Sequence, residues 1–176
     1  DGQPAPLFFV RADQINAQVP FEVSGRSNTS VGVSFNGLTS SATQVPVVSA
    51  HPALFALAGS AIVVHNDDGS LNSPANPIQR GKAVLLFGSG QGVVAPAVAT
   101  GQPAGASPLS LVNGLQLSLG NVSFTPFFAG LSPNFVGLLQ INAFIPANAP
   151  TGGSVPLSIS IQGAQSQPGL TIAIAP

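Results

Sequence analysis

The sequence predicts an all-β protein, and three observations carry the prediction. Short runs of Val, Ile, Leu and Phe recur about every ten residues between clusters of Gly, Pro, Asn and Ser, as in a sandwich or barrel. Apolar residues alternate with period two at Ile15, Ala17 and Val19, at Val31, Val33 and Phe35, at Val155, Leu157, Ile159 and Ile161, and at Leu170, Ile172 and Ile174. That period sets one face of each strand against a core. Helical periodicity is hardly visible.

Further strands are expected at Ala61–Val64, Ala83–Gly88, Leu115–Leu119 and Ser123–Phe128, with Pro74, Pro77, Pro96, Pro103 and Pro108 in the loops. Asn66-Asp67-Asp68-Gly69-Ser70 reads as a hairpin turn, because Asp-Gly supplies the positive backbone angles such turns need. Hydrophobic residues make up 44% of the 176, enough for a core, and 20 Gly with 17 Pro make the chain rich in turns. Charged residues are 5%, against roughly a quarter in an average domain.

A net charge of -1 leaves no basic patch for phosphates or anionic membrane surfaces, which excludes a nucleic-acid binder. Cys, Met, Trp and Tyr are all absent, so no disulfide staples the chain. No apolar run approaches the roughly 18 residues of a spanning helix, so no integral membrane segment is expected.

An internal repeat is the most informative feature. Gln14-Ile15-Asn16-Ala17, followed by Val19-Pro20, returns 126 residues later as Gln140-Ile141-Asn142-Ala143, followed by Ile145-Pro146. Held without a gap, that offset sets Phe9-Val10 on Phe135-Val136, Val31, Val33 and Phe35 on Leu157, Ile159 and Ile161, Gly37 on Gly163, and Ser40 on Ser166. Two copies of one β module are expected. The second has the strands of residues 81 to 130 ahead of its repeat and the first does not, so the first is expected to be incomplete.

Pro6-Leu7-Phe8-Phe9-Val10, the segment Gln14 to Pro20, the run Asn66 to Pro77 and Leu138-Leu139-Gln140-Ile141-Asn142 resemble the Solibacter-type uncharacterised C-terminal domain of large secreted acidobacterial proteins. The resemblance covers nearly the whole chain. It implies tandem immunoglobulin-like β-sandwich modules similar to the IPT/TIG type, an extracellular or cell-surface location and no established activity, and it carries no catalytic residue to transfer. Members of that family usually begin with further strands resembling Arg80-Gly81 to Gly92. The expected organisation is an incomplete immunoglobulin-like module at 1–50, a connecting β-hairpin region at 51–79 and a complete module at 80–176.

Residues able to carry chemistry are few. Asn66 to Ser70 brings oxygen ligands close together, but a calcium loop wants ligands at alternating positions and a distal carboxylate, and none follows. Gly88-Ser89-Gly90-Gln91-Gly92 lacks both the central Ser of a nucleophile elbow and a following helix, and reads as a strand end where backbones approach closely. His51 and His65 are the only histidines, with no nucleophile motif beside them, and Glu22 is the only glutamate. No enzyme, metal site or cofactor is expected. Gln14, Ile15, Asn16 and Pro20, with Gln140, Ile141, Asn142 and Pro146, are read as a fold-specifying motif whose amides could bind a ligand or pair with loop backbone, the second being favoured because the motif recurs in both modules.

Association is the function the composition points to. Sheets guard their edges with charges, bulges or Pro, and this chain has the single lysine Lys82. A near-zero net charge also lowers repulsion between copies. The expectation is a structural protein of the cell exterior that self-associates into a filament, surface layer or adhesive fibre by strand donation. Leu7, Phe8, Phe9, Val10, Leu170, Ile172 and Ile174, near the two ends, are the candidate donors. The alternative is a ligand-binding or spacer module whose partner is the rest of a parent secreted protein.

Overall fold

A computed structural model describes residues 1–175. The chain is all-β, with one 3-10 turn at Phe21–Val23. It forms two compact units, Asp1–Ser49 with Ala99–Gln102, and Ala50–Val98 with the chain from Pro103 on. Among the described residues no helix is long and apolar enough to cross a membrane.

The second unit is a β-sandwich. Its strands are β7 (Ala53–Leu54), β8 (Ala56–Leu57), β9 (Ser60–Ala61), β10 (Val63–His65), β11 (Ile78–Gln79), β12 (Ala83–Ser89), β13 (Leu115–Leu119), β14 (Val122–Phe124), β15 (Phe128–Leu131), β16 (Leu139–Phe144), β17 (Gly152–Ile161), β18 (Ala164–Gln165) and β19 (Thr171–Ala175) after the six of the first unit. One sheet runs β10-β12-β16-β15, with β7 also on β12; the other runs β14-β13-β17-β19-β9-β8, with β11 on β19 and β18 on β17. Burial alternates along β12, β13, β16 and β17, as period-two apolar sequence requires of strands with one face on a core. Val84 and Leu86 of one sheet join Leu117, Ile159 and Ile174 of the other in a single buried cluster.

Residues 51–79, expected as a connecting hairpin region, belong to this sandwich. β7 and β10 pair with β12, while β9 and β11 run parallel to β19. Leu54, Ala61, Val63 and Ile78 are core residues, and burying them satisfies strands too short to stand alone. Side chains complete the pairing. The Asn72 amide donates to the Ala173 carbonyl at 2.8 Å and accepts from its N–H at 2.9 Å, holding β19 as a neighbouring strand would.

The first unit has β1 (Leu7–Arg11), β2 (Gln14–Ala17), β3 (Asn28–Val31), β4 (Ser34–Phe35), β5 (Leu38–Thr39) and β6 (Thr43–Pro46). They pair as β1-β2, β3-β6 and β4-β5, three separate two-stranded sheets. Gln18 and Val23 are the only buried residues of this unit.

Candidate assembly surface

The two QINA segments build the same local structure. Gln14 Nε2 donates to Asn16 Oδ1 at 2.8 Å, and Gln140 Nε2 donates to Asn142 Oδ1 at 3.0 Å. Residues two apart on a strand share a face, so this link puts the amides on one side and Ile15 with Ala17, or Ile141 with Ala143, on the other. The Gln–Asn amides thus pair with each other, not with loop backbone as expected. The following turns also agree: Val23 N–H donates to the Pro20 carbonyl at 3.3 Å, and Ala149 N–H to the Pro146 carbonyl at 3.0 Å.

The hairpins further along correspond equally closely. Ser34 pairs with Thr39 and Phe35 with Leu38; Ser160 pairs with Gln165 and Ile161 with Ala164. Asn36-Gly37 and Gln162-Gly163 both take positive φ, at 47° and 79° and at 51° and 88°, the conformation of a type I′ turn.

Burial separates them. Ile141, Leu157, Ile159 and Ile161 lie in the core of the second unit, each no more than 4% exposed, whereas Ile15, Val31, Val33 and Phe35 are 43%, 50%, 47% and 74% exposed. The difference follows from which strands are paired. β16 has β15 on one edge and β12 on the other, and β17 has β13 beside it. β2 has only β1, and β3 and β4 have only β6 and β5. The first unit therefore presents exposed apolar side chains on two-stranded sheets with free backbone edges. At one point such an edge is occupied: the Asp1 nitrogen donates to the Ser30 carbonyl at 2.8 Å, as Gly120 N–H donates to the Pro156 carbonyl at 2.8 Å.

Of the expected donor residues, Leu7, Phe8, Phe9 and Val10 are exposed on β1, already paired with β2 along one edge. Leu170, Ile172 and Ile174 are not available. They are buried, Ile172 and Ile174 paired with β17 and Ile174 also with β11, so releasing them would open the core. The gap-free match of Phe9-Val10 to Phe135-Val136 also fails. Asn16 pairs with Phe9, but Asn142 pairs with Phe128, and Phe135 and Val136 lie in the longer loop between β15 and β16. The doublet Phe127-Phe128 is the true counterpart of Phe8-Phe9. What sequence reasoning missed is the exposure of Ile15, Val31, Val33 and Phe35; the signal was that core-patterned positions lacked adjoining strands.

The remaining motifs are explained locally. In the 66–70 turn the Asp68 carboxylate accepts the Ser70 N–H at 2.9 Å, which holds its pKa below the ordinary value. Asp67 pairs with Lys82 at 3.2 Å. The buried His65 ring contacts Ser70 Oγ at 3.4 Å and Asn72 Nδ2 at 3.3 Å. His65, Asp67 and Asp68 bring ligand-type atoms within 4.8 Å of one another; His65 and Asp68 meet Ser70 of the turn, and Asp67 meets Lys82 outside it. At the glycine-rich strand end, His51 N–H donates to the Gly90 carbonyl at 2.8 Å, and a Cβ on Gly90 would overlap the His51 carbonyl oxygen. No protein-family model, curated protein or solved structure matches the chain.

Proposed function

We propose that the protein is a non-catalytic structural protein of the cell exterior, a subunit of a filament, surface layer or adhesive fibre. In this reading it carries two copies of one immunoglobulin-like module of the Solibacter-type family. The open first copy joins its neighbours by strand donation or sheet-edge contact. One observation supports the reading above the rest: Ile15, Val31, Val33 and Phe35 occupy core positions of the motif and are open to solvent. Covering the exposed part of such side chains contributes on the order of 1 kcal/mol each, and free strand edges add main-chain hydrogen bonds. The unit's charged residues, Asp1, Arg11, Asp13, Glu22 and Arg26, all lie outside Gln14–Ala17 and Asn28–Phe35, so no charge within those stretches opposes pairing.

Light scattering across a dilution series tests it. Large, concentration-dependent species are expected, and they persist at about 1 M salt, where charge interactions are screened beyond about 3 Å. Ile15→Lys with Phe35→Lys shrinks them. A chain that is monomeric at every concentration contradicts the proposal.

A second reading, a module within a longer secreted protein, draws on the Asp1 contact. Asp1 meets Ser30 as Gly120, at the end of β13, meets Pro156, so strands supplied in the same polypeptide would reach the free edges from that side. The full-length gene product separates the two readings, because a module so completed stays monomeric.

A further inference from the structure

The second unit shows what closes the edge that the first leaves free. β12 lies antiparallel along β16, with Leu86 opposite Ile141, Val84 opposite Ala143, Leu85 opposite Asn142 and Phe87 opposite Gln140. Val84 and Leu86 point into the core at 1% exposure, and Leu85 and Phe87 on the other face are half-buried. No charged residue lies between Ala83 and Ser89.

Transferred to Gln14–Ala17, this arrangement fixes the chemistry of the occupant. We infer that the free edge of β2 binds an extended, antiparallel partner strand with branched aliphatic residues opposite Ile15 and Ala17 and no charge in the paired stretch, the chemistry of Ala83–Ser89. The inference rests on the proposed assembly function and names the partner of that same surface. A charge at either inward position would sit against Ile15 or Ala17 without a counter-ion, which an apolar contact penalises. The site ends at Asp13, whose carboxylate is paired with Arg11 at 2.6 Å. The occupant is an unpaired extended segment and not β12 of a second folded copy, because β12 has strands on both edges and its inward residues are core.

The test adds a synthetic peptide of residues 80–92 to the whole chain and follows hydrogen exchange together with light scattering. Exchange in the segment containing Gln14–Ala17 is expected to slow by about tenfold or more, and assembled species are expected to shrink as their edges are capped. A peptide carrying Val84→Asp and Leu86→Asp gives neither effect. The inference is overturned if the parent peptide leaves this segment unprotected or if the Asp peptide protects it equally. The two failures separate: a chain that assembles but ignores the peptide refutes the strand assignment alone. A chain whose β2 is protected yet never assembles refutes the self-assembly reading and leaves the assignment standing.

Discussion

Val33 and Ser40 are joined twice, by the Ser40 N–H to the Val33 carbonyl at 2.9 Å and by the Val33 N–H to Ser40 Oγ at 3.1 Å. Ile159 and Ser166 make the same two contacts at 2.9 and 3.1 Å. One linkage is open to water and the other is buried, so a single substitution measures what burial adds. Removing Ser166 Oγ strands the Ile159 N–H in the core, at a cost of about 1–3 kcal/mol. Ser40→Ala lets water take the place of the hydroxyl and stays within about 0.5 kcal/mol. Hydrogen exchange at Val33 and Ile159 reads the two sites separately. Equal losses would contradict the burial difference.

At the glycine-rich strand end the expectation concerns shape. Gly90 has φ +78° with the His51 backbone against it, whereas Gly81 has φ +80° and open space around it. Gly81→Ala pays only the left-handed strain, about 1–2 kcal/mol. Gly90→Ala adds a backbone clash, and a loss exceeding about 4 kcal/mol is expected. Denaturant unfolding checks the order, and a Gly90→Ala no worse than Gly81→Ala would show that the two backbones do not abut.

Much of this was legible in the sequence, because strand periodicity and the QINA motif are local properties. The Asp-Gly turn and the Gly90 approach were legible for the same reason. Pairing was harder. Strands of two or three residues, such as β7 and β9, carry too few side chains to display a period, so residues 51–79 looked like a connection. Phe135-Val136 matched Phe9-Val10 by position while the longer loop before β16 had moved the pairing partner to Phe128. Alternation at Leu170, Ile172 and Ile174 announced a buried face without saying which polypeptide buried it.

Glu22 supplies a titration test of the first unit. Its carboxylate accepts the Thr100 hydroxyl at 2.7 Å, and the Phe21 N–H donates to that hydroxyl at 2.9 Å. The Thr100 contact is the main reason the Glu22 pKa lies below 4.5. A lowered folded value means the ionised form favours folding: the contribution is present above the unfolded value and is lost as pH falls through the lowered one. Thr100→Val is expected to raise the Glu22 midpoint toward 4.5, and Thr100→Ser to keep it low. Carboxyl NMR titration decides, and an unmoved midpoint in Thr100→Val would mean that residues 99–102 do not hold Glu22.

The sharpest contrast lies between Ile15 and Ile141, which hold the same place in the same motif. Ile141→Ala empties a site enclosed by both sheets of the sandwich and is expected to cost about 2–5 kcal/mol. Ile15→Ala in the chain alone removes a side chain already 43% exposed and is expected to cost less than about 1 kcal/mol. Supplying the 80–92 peptide changes the second value and not the first, because a bound strand would bury Ile15 as β12 buries Ile141. Unfolding of both variants with and without the peptide therefore measures the completed core from inside. If Ile15→Ala remained equally mild in the presence of peptide that protects β2, the strand would be sitting on the backbone edge without covering Ile15.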